Sequence, residues 1–566
     1  MNSYLSNNML ISLLKQYNVK NLVLSSGTRN IPFVMAVEND DDFECFSVID
    51  ERNAAFFALG LSQQINEPIA IACTSGTAAS NYISGVTEAY YSHSPIVIIT
   101  FDRSPYMYKQ LETQKIDQIT IFQNITKRSV SLPVIKDKDD AWYCQRLLNE
   151  AFISLNQHGQ GPVHINIPIV GITNEVYRNS IANDSVYMTN KIQYVDKCDE
   201  AAWNRMCASL KKKRKILIVI GYNLPFKEEK AELISAVIKK MRCPVLADNM
   251  SNFRCDEFIL AGPVIKALNS EGIEKILPEL VITFGDNFQE RIKDLLRTQA
   301  GKFEHWSIDE TGEIRDCFKS QTALFECSPT YFFENAAKRL NDFETDGTYL
   351  DMWRALSGAI TLPDMPFTNF LTINKFVDVL PRNSLLHLSI LNATRIMQFY
   401  NLDKSIKVFS NVNAFGIDGC LPAFIGQAYA FEGLAFLVIG DLSFFYGMNA
   451  LGIKHRKSNI RVLLINNGGG AEFHIQPDTS RIETIDRHIG AAHNRTAKGW
   501  AESLDYEYLT ANDELSLTTA LESFVSVEHT RPVLLEVFTN MKRDGEFCLE
   551  VYRHAERCIT ALLNDM

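Results

Sequence analysis

The chain has 566 residues, 46% apolar and 22% charged, with a formal net charge of −11. That length exceeds what one hydrophobic core serves, so about two to four domains are expected. The acidic balance excludes a nucleic-acid or anionic-membrane partner, which calls for a basic face, and no run reaches the roughly 18 apolar residues of a spanning helix. The 12 cysteines are scattered, with no CxxC pair, and read as reduced thiols of a cytoplasmic protein. The N-terminus lacks a basic leader region and fits an amphipathic helix better.

Short apolar runs alternate with helical patterns, as in parallel α/β sheets. Three consecutive doubly wound domains are expected, at 1–180, 198–342 and 360–566. In the first, strands are predicted at 21–26, 68–74, 95–101 and 162–168, with helices over 53–64 and 78–91. The polar stretch 178–200 reads as a linker, and the basic run 211–215 as a solvated helix end. The second unit places strands at 215–223, 244–248 and 280–286, followed by a second linker at 341–353. It is short and has no dinucleotide loop, which disfavours FAD. The third has strands at 384–389, 406–411, 434–440, 460–467 and 531–539. No short repeat is visible, but the first and third units are candidate structural relatives.

The runs 434–440 and 460–467 are uninterrupted, as strands buried on both faces are. Helical spacing over 446–457 makes a right-handed βαβ unit the expectation. Asp441 and the pair Asn466/Asn467 then emerge at the carboxyl ends of parallel strands, where ligands of open α/β sheets collect. A carboxylate, an amide oxygen and backbone carbonyls are hard donors suited to magnesium, which commonly shares its shell with phosphates. The glycines 468–470 let backbone approach such a group closely.

Gly-Asp at 440–441, followed about 25 residues on by Asn-Asn, resembles the diphosphate–metal signature of thiamin-diphosphate enzymes. "DERNAAFFALGLS" (50–62), "CTSGTAASNYISGVTEAYYSHSPIVIITFDR" (73–103), "GPVHINIP" (161–168) and "NVNAFGIDGCLPAFIGQA" (411–428) are similar, more narrowly, to the menaquinone-pathway carboligase branch. The likeness covers the first and third units, and the middle one only loosely. It implies a pyrimidine-binding, a central and a diphosphate-binding domain. It implies thiamin diphosphate and Mg2+ (or Mn2+), with Asp441, the Asn467 side chain and the Gly469 carbonyl as metal ligands. Leu442, Ser443 and Gly470 would also touch the cofactor, and Ile417 would lie beneath it. Glu51, from a neighbouring subunit, would protonate N1′ of the aminopyrimidine, so a homodimer or homotetramer follows. The implied substrates are small molecules: 2-oxoglutarate, which loses CO2, and isochorismate, which accepts the acyl unit. Thr28, Arg29, Arg103, Gln114, Arg395 and Phe473 would line their site.

This sequence departs from the branch where substrate should lie. A substrate-facing arginine reads Val412, a serine three residues on reads Phe415, and a serine before Arg395 reads Leu391. An isoleucine reads Glu472, and a Lys-Arg pair of the middle domain reads Arg291-Ile292. Glu472 admits three readings: paired with Arg395 or His474 (or turned away), a general acid or base, or a hydrogen-bond acceptor for a hydroxylated substrate such as a sugar. His474, beside the glycines, is the better placed of three candidate proton carriers. The others are His93 and His455, the latter expected to be exposed on the crossover helix. Two further readings stay open: a related carboligase with another 2-oxo acid and acceptor, and a non-catalytic binding protein of the same fold.

Overall fold

The computed structural model describes residues 3–169, 186, 188–189, 200–340, 343–475 and 478–565. Its strands form three six-stranded sheets, each parallel throughout. The first contains β1 (Asn21–Leu24), β2 (Glu44–Ser47), β3 (Ile69–Cys73), β4 (Ile96–Asp102), β5 (Arg128–Ser131) and β6 (Val163–Pro168), in the order β2-β1-β3-β4-β6-β5. The second contains β7 (Ile216–Ile220), β8 (Val245–Ala247), β9 (Phe258–Leu260), β10 (Leu280–Phe284), β11 (Glu304–Ile308) and β12 (Gln321–Phe325), in the order β12-β11-β10-β7-β8-β9. The third contains β13 (Leu385–Leu388), β14 (Lys407–Phe409), β15 (Ala435–Gly440), β16 (Ile460–Asn466), β17 (Glu507–Ala511) and β18 (Val533–Phe538), in the order β14-β13-β15-β16-β18-β17.

The first and third sheets therefore have one strand order, so the kinship raised by the sequence is one of topology. In each, the order reverses beside the first strand, and the helices that follow leave a crevice at the carboxyl edge. The equivalent helices of the two units, Glu51–Ile65 and Cys420–Tyr429, pack on each other. A Cβ on Gly60 would lie 1.9 Å from the Ala423 carbonyl oxygen, and one on Gly426 would lie 2.1 Å from that of Phe57. Only glycine permits backbones this close, and the contact joins the first and third units in one chain.

The strands predicted from apolar runs are the central ones together with the edge strand β14; every residue of β3, β4, β6 and β16 is buried. Those missed, β2, β5, β9, β11, β12 and β17, are mostly short or lie at sheet edges. The segment 78–91 is two helices, Thr77–Asn81 and Ile83–Tyr91, because the buried Tyr82 turns its N–H onto the Ala79 carbonyl in a 3-10 step. The expected crossover helix over 446–457 is also corrected. A helix spans Asp441–Tyr446 and a 3-10 turn Met448–Gly452, with Gly447 between them, and a loop leads into β16.

The linker expected at 178–200 lies outside the described residues, apart from 186, 188, 189 and 200. Of the second, 341–342 lie outside, and the remainder runs into the helix Thr348–Ala359, whose Trp353 is fully buried. Trp353 shares a core with Leu217 of the middle sheet and with Ala555, Ile559 and Leu563 of the C-terminal helix Met541–Asp565. That last helix thus ties the third unit to the middle one. Among the described residues, no helix is long and apolar enough to cross a membrane.

Candidate active site

Parallel pairing of β15 with β16 sets Gly440 opposite Ile465, so Asp441 and Asn466 leave adjacent strand ends on the same edge. Asp441 is 2% exposed. Its Oδ2 accepts the N–H groups of Gly468 (2.8 Å) and Gly469 (3.0 Å), and its Oδ1 that of Leu442 (2.6 Å). Burial raises its pKa above the ordinary carboxylate value, opposed by nearby His493, whose Nε2 lies 3.5 Å from Oδ2. A buried carboxylate with no Lys or Arg paired to it among the described residues is electrostatically ready for a metal ion.

The two asparagines divide their work. Asn466 Nδ2 donates to the fully buried Glu536 at 2.7 Å and to the Arg495 carbonyl at 2.8 Å, which makes it a scaffold residue. Asn467 Nδ2 donates instead to Asp544 Oδ2 at 3.0 Å. That bond fixes which end of the amide is oxygen and leaves Oδ1 facing Gly469. Asp544 is itself anchored by Thr539 Oγ1 and the Asn369 N–H, and burial pushes its pKa up to about 6. Gly469 has φ 151°, and a Cβ there would lie 2.6 Å from the Gly490 carbonyl oxygen. The loop is therefore a backbone cradle that no side chain could share.

Across the cradle, Ser443 Oγ donates to the Ile417 carbonyl at 2.6 Å, which holds the half-buried segment carrying Ile417 against the helix Asp441–Tyr446. Gly470 is covered by the Phe473 ring, 2.9 Å from where a Cβ would stand. Among the described residues, several buried polar atoms here have no hydrogen-bond partner: Ser410 Oγ, both amide atoms of Asn411, and His493 Nε2. Hard oxygen donors, a Cβ-free loop and orphaned polar atoms fit a diphosphate with its metal. Among the described residues, no group of three or more His, Cys, Asp or Glu could hold a metal. A site of one carboxylate, one amide and one carbonyl is of another kind.

Glu51 opens its helix behind the N-cap Asp50, whose carboxylate accepts the Asn53 N–H at 3.2 Å. Glu51 makes no hydrogen bond or ion pair among the described residues, and its charge reaches the buried Cys73 and Tyr82. Next to it, Arg52 donates to the Tyr446 carbonyl at 2.9 Å and stacks on that ring.

The other expected substrate residues fall into two groups. At the carboxyl edge of the first sheet, Thr28 and Arg29 follow β1 and Arg103 follows β4. Desolvation, reinforced by the nearby Arg103, lowers the Arg29 pKa, and Gln114 packs over Gly76 with φ 57°. Arg103 is engaged by Glu112 (2.5 Å) and Thr113 (3.2 Å). At the third sheet, Arg395 and Glu472 meet on the wall of a cavity of about 510 Å3 lined also by Leu391, Val412, Phe415 and Arg291.

Of the three readings of Glu472, the structure shows the pairing with Arg395: Nη2 donates to Oε1 at 2.9 Å, and Nη1 bonds Oε2. His474 turns from the cavity, its Nε2 lying 2.7 Å from Asp486 Oδ1 and its Cβ against Gly545. His455 is half-buried in a loop rather than exposed on a helix; its Nε2 accepts the Ser47 N–H at 2.8 Å. His93, with φ 51°, lies 3.3 Å from Asp286 between the first and second sheets. Sequence reasoning missed His493, Asp544 and Glu88. The last is a fully buried acid signalled only by a carboxylate within the apolar "VTEAYY".

The family model described as thiamine pyrophosphate enzyme, N-terminal TPP binding domain, matches residues 6–121. Over 548 residues the chain is 36% identical to the 2-succinyl-5-enolpyruvyl-6-hydroxy-3-cyclohexene-1-carboxylate synthase of Bacteroides fragilis, covering 96% of this chain and 97% of that one. The synthase of the same name from Phocaeicola vulgatus is 34% identical, over 96% and 97% of the two chains. That from Flavobacterium psychrophilum is 31% identical, over 96% and 98%.

Proposed function

Because the chain belongs to the 2-succinyl-5-enolpyruvyl-6-hydroxy-3-cyclohexene-1-carboxylate synthase family of thiamin-diphosphate enzymes, we propose that it decarboxylates 2-oxoglutarate and joins the acyl unit to isochorismate. The observation that carries the reading is the pair of adjacent strand ends bearing Asp441 and Asn467, each held by buried partners. Thiamin diphosphate, when bound, supplies the nucleophilic carbon that takes the 2-oxo acid, releases CO2 and passes on the acyl unit.

The chain's residues have definite tasks in this reading. Asp441, the Asn467 amide oxygen and the Gly469 carbonyl hold Mg2+, and Leu442, Ser443 and Gly470 border the diphosphate. Ile417 supports the cofactor from below. Glu51 holds a proton at the aminopyrimidine N1′, contributed across a subunit interface; Ile49, two residues before it, is 73% exposed. Thr28, Arg29, Arg103 and Gln114 of the first unit meet the anionic parts of the substrates, opposite Arg395 and Phe473 of the third. The domains are those expected at 1–180, 198–342 and 360–566, and the protein is a cytoplasmic homo-oligomer.

The test is CO2 release from 2-oxoglutarate with thiamin diphosphate, Mg2+ and isochorismate, with the adduct identified by mass spectrometry. A purified, folded protein that binds the cofactor but consumes neither substrate would overturn the reading.

A further inference from the structure

Strand β4 ends at Asp102, and the chain returns to the same buried spot at Lys115. The loop between them, residues 103–114, begins with Arg103 and ends with Gln114, both expected to meet substrate. Lys115 Nζ donates to Asp102 Oδ2 at 2.5 Å and reaches the Arg103 carbonyl at 3.4 Å. The other carboxylate oxygen, Oδ1, accepts the Arg103 N–H at 2.7 Å. The side chains of Lys115 and Asp102 are 7% and 2% exposed, so the ion pair is cut off from water.

A second path leads from the same carboxylate to the far end of the loop. Asn166 of β6 donates to Asp102 Oδ2 at 3.2 Å and accepts from Gln118 Nε2 at 3.0 Å. Gln118 Oε1 in turn accepts the Gly76 N–H at 2.8 Å. Gly76 has φ 83°, and a Cβ there would stand 3.3 Å from the Gln114 Cα, so Gln114 rests on backbone that the network holds. The loop has little else to order it, since Tyr106 and Leu111 are exposed. Lys109, Leu111 and Gln114 nevertheless hold φ of 59°, 58° and 57°. Such conformations persist where neighbouring structure over-determines them, and here that structure is the base of the loop. Glu112 and Thr113 draw the Arg103 guanidinium along the returning limb. Its Nε and that of Arg29 are buried without a partner among the described residues, and such donors fit an incoming anion.

We propose that Lys115 is a positioning residue: its ammonium, locked on Asp102, closes the base of the 103–114 loop and so fixes where Arg103 and Gln114 present their side chains to substrate. Stability does not account for the pair. Desolvating two charges cancels much of their attraction, and uncharged groups of like volume commonly fill such places without loss. What uncharged groups lack is the direction that a charge-assisted hydrogen bond imposes on two chain segments at once.

The inference rests on the proposed function, which gives Arg103 and Gln114 their substrates, and its test separates the two. Asp102→Asn/Lys115→Met removes both charges, preserves shape and net charge, and is expected to melt close to wild type. In the holoenzyme, KM for 2-oxoglutarate or for isochorismate should rise about tenfold or more, with kcat falling less than about threefold. The rise, read as calorimetric affinity where turnover is too slow, should vanish in an Arg103→Ala/Gln114→Ala background, where Lys115 has nothing to position. Independently of turnover, trypsin cleavage after the exposed Lys109 of the native protein should quicken about tenfold in the uncharged pair.

An unchanged KM for both acids overturns the proposal, as does a rise that persists in the Arg103→Ala/Gln114→Ala background, or cleavage as slow as in wild type. An uncharged pair that does not fold overturns it too, since the ion pair would then serve stability. Wild-type protein inert towards both acids would instead strike at the proposed function, and the cleavage comparison would still decide the role of Lys115.

Discussion

Glu88 and Ala414, 326 positions apart, are joined by a 2.7 Å hydrogen bond from the Ala414 N–H to the Glu88 carboxylate; the Asn413 N–H makes a second at 3.1 Å. A buried acid of the first unit thereby clamps the loop of the third that carries Val412, Phe415 and Ile417. Burial pushes its pKa up from 4.5 to about 7, while the two amides pull the other way. The folded chain thus binds a proton more tightly than the unfolded chain does. The stability linked to that proton is fully present below pH 4.5 and is lost as pH rises through 7. The unfolding free energy of wild type relative to Glu88→Gln should fall across this window by about 3 kcal/mol and be level above it. Denaturant titrations at a series of pH values measure the difference, in which buried acids common to both proteins cancel. A flat difference between pH 4.5 and 7 would refute the assignment.

The hydrogen bond from Asn467 to Asp544 makes a second prediction. Asp544→Asn keeps the shape but replaces an acceptor with a group that also donates, so the Asn467 amide loses the partner that fixes its oxygen. Magnesium activation of the holoenzyme should weaken about 10–100-fold, as for other groups that orient metal ligands. Measuring activity against free Mg2+ at saturating thiamin diphosphate checks this. An unshifted activation curve in a protein of unchanged melting temperature would remove Asp544 from the metal site.

Supply of Glu51 across a subunit interface, as proposed above, would have a sharp genetic consequence. Glu51→Gln and Asp441→Asn, each inactive alone, are expected to complement when co-expressed with different tags and purified as mixed dimers. In such a dimer one of the two sites combines an intact Glu51 with an intact Asp441, so about half the wild-type activity should return. If both residues came from one chain, every site would carry a lesion and the mixture would stay inactive.

What could be read from the residues follows burial. β4 and β16 are apolar at nearly every position because both faces are covered, so they stand out as runs. β2 reads Glu-Cys-Phe-Ser and β5 Arg-Ser-Val-Ser, with exposed positions that erase the pattern at sheet edges. The strand-end placement of the Gly-Asp and Asn-Asn words was legible because each directly follows a continuous buried apolar run. The pairing of Glu472 with Arg395 was legible only as one reading among several: the two are 77 residues apart, and the shared edge of β13 and β16 is what brings them together. Asp544 and Glu88 carry no local motif, since their meaning lies in the distant amides they bind.

The two glycines of the diphosphate words should respond differently to alanine. At Gly469, φ 151° disfavours any side chain, and a Cβ would press on the Gly490 carbonyl at 2.6 Å and on Met541 Sδ at 2.9 Å. Backbone strain plus overpacking together cost about 2–5 kcal/mol, so Gly469→Ala should melt several degrees below wild type. At Gly440, φ is −80° and, among the described residues beyond its chain neighbours, no atom lies within 4 Å of where a Cβ would stand, so Gly440→Ala should melt close to wild type. Differential scanning calorimetry of the two variants without cofactor isolates the packing effect from any loss of binding. Equal melting temperatures for both would mean that the cradle relaxes around Gly469 and that its geometry is not what makes glycine necessary there.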